Sequence, residues 1–107
     1  MDPLHEVAYK IFEELNAPKV ELSNDGVAEI TVRKKTKDVD VPSVLKKYGF
    51  DVSDCDIGEA ALYGENCIGV FGGQIDGKKV NGPIFYDDEK KTVLYIRMSY
   101  QPKGGQA

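Results

Sequence analysis

The chain predicts an α+β fold, a two-layer sandwich in which a mainly antiparallel β-sheet carries helices on one face. Three observations point there. Near the start, apolar residues recur at spacings of three and four, the period of a helix buried on one side. Further on, apolar and polar residues alternate, the period of a half-buried strand. Short turn signals such as Asn24-Asp25-Gly26 and Asp76-Gly77 join those stretches, as antiparallel neighbours require. The predicted order is α-β-β-α-β-β-β-β, which a two-layer arrangement accommodates.

The first helix rests on Leu4, Val7, Ala8, Ile11, Phe12 and Leu15, which share one face. Asp2 caps its first turn, Pro3 suits the first helical position, and Pro18 ends it by forcing the preceding residue out of helical geometry. A hairpin follows around Asp25-Gly26, with Leu22, Ala28, Ile30 and Val32 facing inward. A charged loop runs from Lys34 to Asp40. A short second helix is expected from Pro42 to Tyr48, with Gly49 as its left-handed end and Phe50 folding back on it.

The remainder reads as a meander. Strands are expected at Ile57–Tyr63, Cys67–Ile75, Val80–Tyr86 and Thr92–Tyr100. Pro83 cannot donate to a ladder, so it marks the third of these as an edge or a bulge. On the last strand Leu94, Ile96 and Met98 share one face, and Val93, Tyr95, Arg97 and Ser99 the other. With 107 residues, the chain is expected to form a single domain over 1–100, followed by a polar, glycine-rich flexible tail over 101–107.

Composition narrows the function. Fourteen basic against eighteen acidic residues give a net charge of −4, which opposes non-specific attraction to nucleic acid or anionic lipid. No apolar run approaches the roughly 18 residues of a membrane span, and the N-terminus lacks a signal-peptide pattern. A cytoplasmic location is expected, with Cys55 and Cys67 as free thiols.

Several motifs that carry chemistry elsewhere fail here. Gly72-Gly73-Gln74-Ile75-Asp76-Gly77-Lys78-Lys79 fits most of a phosphate-binding loop, but Lys79 stands where Ser or Thr is needed, and the residues after it cannot open a helix. Asp51, Asp54, Asp56 and Glu59 cluster, but in the wrong register for a calcium loop, so they read as a solvated acidic loop. His5 is the sole histidine and cannot build a multi-histidine metal site. Pairing it with Cys55 or Cys67 would require a niche that lowers a thiol pKa, and nothing in their spacing supplies one. Arg33-Lys34-Lys35-Thr36-Lys37 is a basic run without interleaved aromatics and with Asp38 and Asp40 behind it. No catalytic residue, metal ligand or cofactor is assigned.

Two features remain. Gly69, Gly72 and Gly73 lie inside a predicted strand, where each costs roughly 0.5–1 kcal/mol of backbone entropy. They mark either close packing, such as a helix lying over Gly69, Gly73 and Ala60, or a surface that receives a partner or ligand. Val93, Tyr95 and Arg97 point away from the helices, and tyrosine and arginine are enriched at interfaces. The expected function is therefore a non-enzymatic contact module that binds a protein partner or forms a homodimer, with Val93, Tyr95, Arg97, Gly69, Gly72 and Gly73 as the candidate surface. Two alternatives are a small-ligand-binding protein or enzyme using a cleft beside the glycine-rich strand at Gly69 to Gly73, with Cys67 or His5 nearby, and a weak nucleic-acid contact through the basic loop.

Overall fold

Asp2 starts the first helix as expected. In the computed structural model, which describes residues 2–33, 40–89 and 92–101, its carboxylate accepts the Leu4 N–H at 2.8 Å and caps α1 (Pro3–Glu14). Leu15 closes that helix, and Asn16 turns the chain with a positive φ of 50°. The hairpin of β1 (Lys19–Ser23) and β2 (Val27–Arg33) turns at Gly26, where φ is 77°. α2 (Val41–Lys47) ends at Tyr48 and Gly49, and Phe50 folds back to donate its N–H to the Leu45 carbonyl.

Six strands form one antiparallel sheet in the order β1-β2-β6-β5-β4-β3. β3 is Asp51–Asp54, β4 Cys67–Ile75, β5 Lys78–Tyr86 and β6 Val93–Tyr100. Register aligns Ala28 with Met98, Ile30 with Ile96 and Val32 with Leu94, and then Ile96 with Ile84. The face built from these residues meets Leu4, Ala8 and Ile11 of α1, Leu15 at its C-terminal cap and Leu45 of α2 in one buried cluster. The α+β sandwich is thus formed, with α1 and α2 on one face.

Three details depart from the predicted elements. Ile57–Tyr63 is a helix, α3, rather than a strand. Its start is a capping box: Asp56 accepts the Glu59 N–H at 2.8 Å, and Glu59 accepts the Asp56 N–H at 3.0 Å. Two members of the acidic cluster are therefore helix caps, not a solvated loop. The missing strand is β3, four residues that pair with β4 at the sheet edge. Finally, Pro83 lies in β5, an interior strand, not at an edge. Its paired residues toward β6 pass from Asn81–Ser99 to Ile84–Ile96. A Cβ on the neighbouring Gly82 would lie 1.7 Å from the Arg97 carbonyl oxygen, so only glycine lets β6 approach there.

Leu22 shares the inward face but sits on edge strand β1 and is 38% exposed. The expected tail beyond Gln101, and Lys34 to Lys37 of the basic run, lie outside the described residues.

Candidate functional site

The sheet's second face, which points away from α1 and α2, places the candidate residues. Strand alternation puts Val93, Tyr95 and Arg97 on it, and register adds Glu29 opposite Arg97 and Phe85 opposite Tyr95. The Phe85 and Tyr95 rings stack at 5.2 Å between centroids, tilted by 35°. The Arg97 guanidinium lies 4.9 Å from the Phe85 ring centre, and its Nε and a terminal nitrogen each donate to one Glu29 oxygen at 3.0 Å. Tyr95 donates its hydroxyl to Asp87 at 2.7 Å. That bond, with the burial and negative charge around it, raises the Tyr95 pKa, so the phenol stays neutral and fixed.

These contacts make an ordered aromatic and guanidinium centre in which half of the Arg97 side chain is still exposed. Beside it runs a groove between the end of α3 and the sheet, lined by Tyr63, Asn66, Pro83, Phe85, Asp88 and Arg97. Phe85 and Glu29 were missing from the sequence-based surface because only the β2–β6–β5 register brings them to Tyr95 and Arg97. Alternation within a single strand carries no such information.

The three glycines separate. Gly73 faces the core, where a Cβ would come 2.8 Å from the Gly49 carbonyl oxygen and 2.7 Å from Phe50 Cδ1. Its role is packing, and the close neighbour is the turn after α2 rather than a helix lying flat. Gly69 is also tight, with the Ser53 carbonyl oxygen 3.2 Å from the same position. Ala60, grouped with them from the sequence, belongs to α3. Gly72 instead pairs with Asn81 and Asp51 on the second face, and its nearest neighbours are at ordinary contact distances of 3.8 and 3.9 Å. Of the three, Gly72 alone joins the face of Tyr95 and Arg97.

The alternative chemistries fare differently. His5 Nε2 bonds the Ser23 carbonyl at 2.8 Å, at the β1 edge of the sheet. Cys55 and Cys67 lie at the opposite, β3–β4 edge, so no His/Cys pair is assembled. The Cys55 pKa is pushed up to about 11, first by a hydrogen bond with Cys67, then by burial and the charges of Glu59 and Asp56. An activated nucleophile needs the reverse shift. Asp76 and Gly77 both have positive φ, 51° and 79°, which makes the glycine-lysine string a hairpin turn. No group of His, Cys, Asp and Glu among the described residues is placed to hold a metal ion.

An apolar cleft of about 330 Å³ does open beside the glycine-rich strand, with Val32, Val52, Ile68, Gly69, Ile84 and Leu94 in its walls. Among the described residues, no helix is long and apolar enough to cross a membrane. No family model, curated protein or solved structure matches the chain.

Proposed function

We propose that this protein is a contact module that self-associates through the second face of its sheet, with a second copy of the chain as the partner. The observation that carries this reading is the charge balance of that face. Its strand residues include Lys19, Arg33, Lys79 and Arg97 against Glu21, Glu29 and Asp51, while the whole chain has a net charge of −4. Two copies meeting there bring together nearly neutral, mixed-sign surfaces around an aromatic centre, and leave the acidic remainder outside.

Size supports the same reading. Six strands about 4.8 Å apart and about 3.3 Å per residue span about 670 Å², toward the lower end of the roughly 600–1,000 Å² per partner of a standard interface. A two-fold axis through the face makes the contact self-complementary and closed, so it stops at a dimer.

Sedimentation equilibrium of the wild type and of Tyr95→Ala/Arg97→Ala tests it. A wild-type dimer is expected, with the double variant's dissociation constant raised by about thirtyfold or more, the effect of losing a central anchor. A wild type that stays monomeric, or a double variant that dimerises equally well, contradicts it.

The cleft beside Gly69 favours a second reading, a site for a small apolar ligand, because its volume falls within the usual range for such pockets. An apolar fluorescent dye should bind the native protein there and lose that binding in Ile68→Asp. Dye binding that Ile68→Asp leaves unaltered removes this reading.

A further inference from the structure

The β3–β4 edge brings together two thiols that are twelve positions apart in the chain. β3 pairs with β4 through Asp54 and Gly69, and one further step along that register puts Cys55 opposite Ile68. At Ile68 the β4 ladder slips between Cys67 and Gly69, a bulge, and on its far side Cys67 pairs with Phe85 of β5. The neighbouring Cys67 thiol is the largest cause of the raised Cys55 pKa. The Cys67 sulfur also lies 3.3 Å from the Gly69 carbonyl oxygen, and the Cys55 sulfur 3.6 Å from that of Asp56. Directly opposed residues on antiparallel strands have Cα atoms about 4.5–5.5 Å apart. Cys67 is one residue, about 3.4 Å, beyond the position opposite Cys55, which puts the pair about 6 Å apart, inside the range a disulfide spans.

What lies between them gives the contact a consequence. The segment 56–66 leaves and re-enters the sheet at these two residues and holds α3, which has no buried side chain. Ile57 is 90% exposed and Leu62 74% exposed, so little apolar packing holds the helix, and its capping box is its main local support. Its end also forms one wall of the groove beside Phe85 and Arg97.

We propose that Cys55 and Cys67 form a reversible disulfide that clamps both ends of the α3 segment. The oxidant is a low-molecular-weight disulfide such as oxidised glutathione. The more exposed Cys55, as thiolate, attacks one of its sulfurs and expels one glutathione thiolate. Cys67, as thiolate, then attacks the Cys55 sulfur and expels the second. Two protein thiols become one S–S bond, the small disulfide is reduced to two thiols, and the two protons pass to the expelled thiolates. The proposal is independent of self-association.

The test equilibrates the full chain with reduced and oxidised glutathione, quenches with acid and maps the peptides by mass spectrometry. The expected product is a Cys55–Cys67-linked peptide. In the folded protein it should form under conditions about tenfold or more reducing than those needed by the chain unfolded in urea, because folding holds the thiols together. Cys67→Ser should accumulate glutathione on Cys55, and Cys55→Ser should resist modification because Cys67 is buried. Hydrogen exchange over 56–66 should slow in the oxidised wild type. A folded wild type that stays as two thiols, stops at the mixed disulfide, or closes no more readily than the unfolded chain overturns the proposal; this comparison requires no variant to fold.

Discussion

At the scale of single residues, backbone approach decides which glycines are indispensable. Gly82→Ala puts a carbon where the Arg97 carbonyl oxygen stands, and should cost at least about 3 kcal/mol, because two strands must separate. Gly73→Ala meets the Gly49 carbonyl and the Phe50 ring, and should cost about 1–3 kcal/mol. Gly72→Ala meets nothing closer than 3.8 Å and should stay within about 0.5 kcal/mol of wild type. Urea unfolding of the three variants checks the order, and equal losses at all three would contradict it. Cys55 gives a second test: its raised pKa should make iodoacetamide labelling slow below pH 9, and Cys67→Ser should speed it by removing the largest cause of the shift. None of this spacing was visible in the sequence. The glycines stood out as a cluster, but close approach by backbone depends on strands that are distant in the chain.

Secondary-structure elements were legible where local chemistry acts alone. α1 carries its cap, its proline and its apolar stripe within fourteen residues, and it forms with those boundaries. Asp2 also accepts the Tyr100 hydroxyl at 2.9 Å, tying the helix start to the end of β6. The Leu4 N–H first, and then Tyr100, hold the Asp2 carboxyl below its ordinary pKa. A carboxylate with a depressed folded pKa adds stability above its unfolded value of 3.8 and loses it as pH falls through the lower folded value. Asp2→Ala should therefore lower Tm by a few degrees at neutral pH, and the difference from wild type should shrink in acid. A difference that grows in acid would contradict the cap.

α3 is hidden in the sequence because Asp56 and Glu59 read first as members of a cluster of like charges, although their spacing is that of a capping box. β3 was missed for another reason. Asp51-Val52-Ser53-Asp54 has little strand propensity of its own, and pairing with β4 imposes its extended form. Asp56→Ala should unravel α3 and leave the global Tm within about 2 °C, since that helix buries no side chain. Far-UV circular dichroism and calorimetry together check this, and a large fall in Tm would show that α3 supports the core.

For the whole molecule, the division of the sheet into two unlike faces governs what the domain can do. One face is consumed by the core with α1 and α2. The other keeps an aromatic pair, a half-exposed arginine and balanced charge on a chain that is acidic overall. Alternation along β6 revealed Val93, Tyr95 and Arg97 as the outward set, but strand order determined their neighbours. The central claim, self-association through this face, is tested most directly by following aromatic and arginine NMR resonances as the protein is diluted. Signals from Phe85, Tyr95 and Arg97 should move with concentration, while those of Tyr9 and Tyr48, away from this face, stay fixed. Shifts confined to other surfaces, or no concentration dependence at all, would contradict the account.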